Sequence, residues 1–104
     1  MQATIIVPCG TGDEQAYQHG LQWNLAHRFG GYTARESVGG WTNGKGQLIR
    51  EPVMVYDVAC EDTAEVREQF HGIAADVARD LHQECVFLAF DPDRKAEFIL
   101  PRHL

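Results

Sequence analysis

Residues 30–60 read GGYTARESVGGWTNGKGQLIREPVMVYDVAC, and the rest of the fold is organised around them. At the centre, Thr42-Asn43-Gly44-Lys45-Gly46 offers an Asn-Gly pair and a second glycine, residues that accept the positive φ of a tight hairpin turn. One strand must arrive before this turn and another must leave after it. The outgoing strand is expected over residues 53–60, rich in β-branched and aromatic side chains, with Glu51 and Pro52 at its entrance. Met54, Tyr56, Val58 and Cys60 fall on one face and Val53, Val55, Asp57 and Ala59 on the other, and two largely apolar faces mark a central strand. The incoming strand, residues 32–38, carries Arg35, Glu36 and Ser37 and is polar enough for an edge or for one side to face a cleft.

Outward from the hairpin, residues 3–7 form a short apolar run stopped by Pro8, a buried strand with a glycine-containing loop, residues 9–12, at its C-terminal end. Thr11 with Glu14 has the form of a capping box, Tyr17, Leu21, Leu25 and Phe29 follow at helical spacing, and Gly30 and Gly31 supply the ending. Asp62 with Glu65 repeats the capping pattern, and Val66, Phe70, Ile73, Ala74, Val77 and Leu81 mark a second helix expected to run through Gln83. Residues 85–90 read as a strand, Asp91-Pro92-Asp93 as a turn, and residues 96–100 as a short last strand. This order predicts an α+β, ferredoxin-like βαββαβ sandwich, an antiparallel sheet with two helices on one face, plus a short C-terminal strand. The other sheet face then needs cover, for which a second subunit is the expected source.

A length of 104 residues allows a single domain, residues 1–104, and leaves any deep pocket to be completed by another subunit. An apolar content of 44% argues against disorder, and no apolar run approaches the ~18 residues of a membrane span. Residues 4–7 are too short for a signal-peptide core, so a cytoplasmic protein without a membrane partner is expected. Cys9, Cys60 and Cys85 are odd in number and unclustered, which fits a reducing compartment and packing roles for all three. A net charge of −6 speaks against nucleic-acid partners and for a cationic small molecule or a basic protein surface. No nucleophile elbow, zinc-protease motif, P-loop or dinucleotide fingerprint occurs, and His71 and His82 are read as solvated helix residues. Neither a metal nor a cofactor is expected.

What remains is Glu51, with Arg50, Glu36 and Trp41 around it. Residue chemistry alone admits a structural role, in which Glu51 pairs with Arg35 across the hairpin and Trp41 covers the sheet edge, beside a functional role in a cleft. Cys9 and Gly10, in the loop at the end of the first strand, are further candidate ligand contacts.

The Gly-Tyr strand with Glu36-Ser37, the triplet Gly39-Gly40-Trp41, Glu51 opening a Val-rich strand that ends in cysteine, and the run His82-Gln83-Glu84-Cys85-Val86-Phe87-Leu88 lie within residues 29–90. That stretch resembles the phage S-adenosylmethionine (SAM) lyases, formerly called hydrolases. The resemblance implies a ferredoxin-like subunit in a trimer, with SAM as substrate between subunits, and a reaction giving methylthioadenosine and homoserine lactone. It further implies an antirestriction role through depletion of the methyl donor. By this resemblance Glu51 matches the family's functional glutamate and holds the amino-acid end of the substrate, while Trp41 stands where the family has a functional tyrosine. Trp41 or Tyr32 would stack on adenine or face the sulfonium, and Asn43 or Tyr56 would replace the missing hydroxyl. Glu36, Cys9 and Gly10 complete the candidate substrate contacts. The alternative is a non-catalytic oligomeric domain of a mobile element that binds a metabolite or a host protein. An acidic surface imitating nucleic acid is a third reading and rests on net charge alone.

Overall fold

Seven elements follow in chain order: β1 (Gln2–Pro8), α1 (Gly12–Phe29), β2 (Thr33–Thr42), β3 (Leu48–Ala59), α2 (Ala64–Asp80), β4 (Val86–Asp91) and β5 (Lys95–Ile99). They belong to a computed structural model that describes residues 1–93 and 95–103. The strands form one antiparallel sheet in the order β2-β3-β1-β4-β5. The first four strands thus have the ferredoxin-like arrangement expected from the sequence, and β5 adds an outer strand.

Alternation along the central strands decides which face is covered. Ala3, Ile5 and Val7 of β1, Tyr56 and Val58 of β3, and Val86, Leu88 and Phe90 of β4 form one core with Leu21 and Leu25 of α1 and Phe70, Ile73, Ala74, Val77 and Ala78 of α2. Helix α1 opens on the full Thr11 and Glu14 capping box and ends at Gly30 with φ 90°. Fully buried Tyr56 ties α1 to β3: its hydroxyl donates to Gln18 Oε1 at 2.6 Å and accepts from Gln22 Nε2 at 3.1 Å. The Gln18 amide in turn donates to the carbonyls of Pro8 and Glu14, so this buried polar joint is satisfied.

Several boundaries differ from the sequence expectation, each for a physical reason. Strand β2 continues past Val38, and β3 begins at Leu48 rather than Val53, because the ladder runs on from Val38 and Pro52 to Thr42 and Leu48. Pro52 does not stop it. The pairing of β1 with β3 ends at Pro8 and Val53, so the missing N–H faces a finished ladder, and the Pro52 carbonyl still accepts from Cys9 N at 3.1 Å. Helix α2 is capped by Thr63, whose hydroxyl accepts from Val66 N, whereas Asp62 accepts from Arg67. The helix ends at Asp80 because His82 adopts a left-handed φ of 55° and Gln83 N reaches back to the Ala78 carbonyl. Cys9 is buried and Cys60 half-buried, but Cys85 is exposed rather than packed.

Candidate functional site

Two ladders run out of partners at the same end of the sheet, and a cleft results. Strand β1 pairs with β4 as far as Ile5 and Leu88 but stays paired with β3 to Pro8, so Ile6 and Pro8 part from Val86 and Phe87. Beyond Pro8, β2 and β3 continue alone as a two-stranded arm, residues 38–42 against 48–52. Between the arm and the parted strands lies a cleft of about 540 Å³, lined by Ile6, Pro8, Gly39, Gly40, Trp41, Glu51 and Val53 on one side and residues 82–87 with Phe98 on the other. Such a volume suits a small organic ligand.

Glu51 stands inside β3, directly across from Gly39. A Cβ at position 39 would press on Val53 Cγ1 at 3.2 Å, so glycine there relieves crowding beside the carboxylate. Burial raises the Glu51 pKa, and the Glu14 carboxylate adds to the rise; no cation offsets either effect among the described residues. Arg35, the candidate partner from sequence, instead binds Asp57, which also accepts from Thr4 Oγ1 at 2.6 Å. Burial pushes the Asp57 carboxyl up, but these hydrogen bonds prevail and hold it below its ordinary value. Trp41 projects on the same sheet face as Glu51, two positions past Gly39, lines the same cleft, and is 43% exposed. It does not merely cover an edge.

The other candidates fall outside the cleft lining. Glu36 pairs with Met54 on the opposite face of β2 from Trp41. Cys9 is buried, its thiol pKa raised first by that burial and then by Glu36, Glu14 and Glu51, so three carboxylates surround the thiol. Gly10 lets the loop close: a Cβ there would lie 3.0 Å from Pro52, and its N–H donates to Glu14 Oε1 at 2.9 Å. Tyr32 packs edge-on against Tyr56 with ring centroids 5.6 Å apart. Neither proposed source of a replacement hydroxyl is free: Tyr56 is buried against Gln18 and Gln22, and Asn43 binds Lys45 and Gln47 within the turn. Conversely, His82, Gln83, Glu84, Cys85 and Phe98 line the cleft although sequence reasoning does not single them out as site residues. The signal for four of them lies in the run 82–88, which marks a resemblance without giving a position.

A larger concavity of about 650 Å³ lies between α1 and α2, far from this chemistry. Four of the charged groups that line it pair with one another: Arg102 and Arg79 bind Asp76, Arg79 binds Asp80, and Tyr17 donates to Asp80 at 2.9 Å. Glu51 has no such partner among the described residues, which makes the smaller cleft the stronger candidate. No group of three potential metal ligands comes together among the described residues, and no helix there is long and apolar enough to cross a membrane.

No family model matches the chain, and no curated protein matches it in sequence. Among solved structures, the chain superposes on a phage SAM lyase in complex with S-methyl-5′-thioadenosine with a TM-score of 0.73. The fold is that of a phage SAM lyase. The likeness covers 95% of this chain and 88% of the lyase at 17% sequence identity, and so extends beyond residues 29–90. At that identity it establishes the arrangement of elements, and the chemistry has to be argued from this chain's own residues.

Proposed function

We propose that this protein binds SAM and cleaves it as a lyase. The observation that carries this reading is Glu51, a partly buried carboxylate without a cation of its own, in one cleft with Trp41 on the fold of a phage SAM lyase. Burying an unpaired carboxylate is costly, and a cationic ligand offsets that cost. SAM carries both an ammonium and a sulfonium. Glu51 accepts a charge-assisted hydrogen bond from the ammonium, and the Trp41 ring stacks on adenine or receives the sulfonium on its face.

The reaction then needs no protein nucleophile. A carboxylate oxygen of the substrate bonds to the carbon next to the sulfonium, the bond from that carbon to sulfur breaks, and its electron pair returns to sulfur. Neutral methylthioadenosine leaves, homoserine lactone keeps the ammonium, and no proton moves. The protein's part is to hold the folded conformer and to exclude water. The cleft is open along one side of the single chain, beside a sheet face that presents Ile6, Ile49 and Phe87. We assign its closure to further copies of the chain, as a trimer with sites between subunits, acting in the cytoplasm against restriction by depleting the methyl donor.

Incubation of purified protein with SAM, followed by chromatography for methylthioadenosine, tests the reading; release no faster than the uncatalysed rate removes it. Trp41 in place of tyrosine favours a second reading, an oligomeric domain that binds a metabolite or host protein without turnover. Saturable SAM binding by calorimetry with no product selects that reading.

A further inference from the structure

Strand β5 should be the least secure part of the sheet, since its five residues pair with β4 along one edge and no strand among the described residues pairs with the other. Yet it carries Phe98, which meets Phe87 edge-on with centroids 5.9 Å apart and forms a wall of the cleft. The opposite face of β5 reaches α2, where Glu97 Oε1 lies 2.8 Å from His71 Nε2. Just before the strand, Asp93 pairs with Arg67. Just after it, the chain crosses onto α2: Arg102 N donates to the Ala75 carbonyl at 3.0 Å, and its guanidinium donates to the Gly72 carbonyl at 3.1 Å and to Asp76 at 2.5 Å. Position 72 is glycine, and the guanidinium packs directly over it; a Cβ there would stand 2.8 Å from Arg102 Nη2 and would make the guanidinium shift. Glycine inside a helix is less favourable than alanine, so the guanidinium it admits gives Gly72 a structural reason.

We infer that Arg102, seated over Gly72, is a latch that fixes β5 and thereby holds Phe98 as a wall of the cleft. Arg102 is a positioning residue acting from the helix side of the sheet on a site that opens on the other side. The latch is independent of what the cleft binds, whereas the effect of the wall on a ligand rests on the SAM reading above.

The test uses the full chain and the variants Arg102→Ala, Arg102→Lys, Gly72→Ala and Phe98→Ala. Hydrogen exchange follows the amides of residues 95–99, nuclear Overhauser contacts follow the Phe87 and Phe98 rings, and calorimetry follows methylthioadenosine binding. In Arg102→Ala and Gly72→Ala, exchange over residues 95–99 rises by about tenfold while β1 and β3 keep wild-type protection. The ring contact weakens, and methylthioadenosine affinity falls several-fold in both, as it does in Phe98→Ala; Arg102→Lys recovers part of each effect. Gly72→Ala separates the latch from general loosening, because added helix propensity in α2 would by itself slow exchange. Unchanged exchange in both variants overturns the latch. Wild-type affinity in Phe98→Ala, or in the unlatched variants, overturns the wall. Should the wild-type protein bind no methylthioadenosine, the SAM reading falls, and exchange with the ring contact still decides the latch.

Discussion

Glu51 is where stability and the proposed function pull apart. Its pKa is raised, by burial first and Glu14 second, so the folded state holds the proton more tightly than the unfolded chain does. Stability is therefore greatest below the unfolded pKa and falls as pH climbs through the folded one. Asp57 has the opposite sign: Thr4 and Arg35 hold its pKa down against burial, so it contributes stability above the unfolded pKa that is lost as pH falls through the folded one. Glu51→Gln removes the cost of the buried charge, and urea unfolding should show the variant more stable than wild type at neutral pH, with the difference closing in acid. Under the proposed SAM reading, the same change removes a charge-assisted hydrogen bond to the substrate ammonium worth about 1.5–3 kcal/mol, so methylthioadenosine release should fall roughly 10- to 100-fold. A variant both less active and less stable would mark Glu51 as structural instead. On the same reading, Trp41→Ala loses the proposed ring stacking, worth about 1–3 kcal/mol, and should raise the SAM concentration needed for half-saturation, while Trp41→Tyr keeps most of that stacking.

Between α1 and β3, the joint rests on a small buried polar set rather than on apolar contact alone. Tyr56→Phe keeps the ring but leaves Gln18 Oε1 without its donor and Gln22 without its acceptor. An unsatisfied buried polar group costs about 1–3 kcal/mol, and the loss should appear as a lower urea midpoint with an unchanged m value. Elements whose signals are local were legible in the sequence: Thr11, Glu14 and Gly30 bound α1, and the turn at residues 43–46 set the hairpin. Strand ends were less so. Pro52 reads as the entrance of β3, and what lets the ladder run through it, the end of the β1 pairing at Pro8, lies in a distant part of the chain. Thr63 and Asp62 are equally good caps until Arg67 claims Asp62. Glu51 and Trp41 share a face through alternation across one hairpin, which a sequence can reveal, and the same alternation removes Glu36. The opposite wall depends on β1 parting from β4 after Ile5 and on β5 pairing with β4, and no local pattern records either event.

The chain as a whole exposes more surface than its mass calls for. Monomers of 11.7 kDa follow a scaling that gives about 5,900 Å², whereas this one exposes 6593 Å². The arm contributes to this: it carries exposed Val38 and Leu48 on one face and Trp41 on the other, and a two-stranded ribbon of that kind is marginal on its own. Apolar groups gathered on the arm and the open sheet face would supply the association surface of the proposed trimer. Light scattering should then give a multiple of the chain mass. Ala89→Glu tests which surface associates, since Ala89 lies on the open face between Thr4 of β1 and Ala96 of β5, outside both the core and the cleft lining. An unpaired charge buried between subunits costs several kcal/mol by order of magnitude, so the variant should run as a monomer with wild-type circular dichroism. Because the proposal closes the cleft with a neighbouring copy, methylthioadenosine release should disappear together with the oligomer. A monomer that retains full turnover would mean that one chain holds the complete site, and an oligomer indifferent to the charge would move the association surface to the Val38 and Leu48 face of the arm.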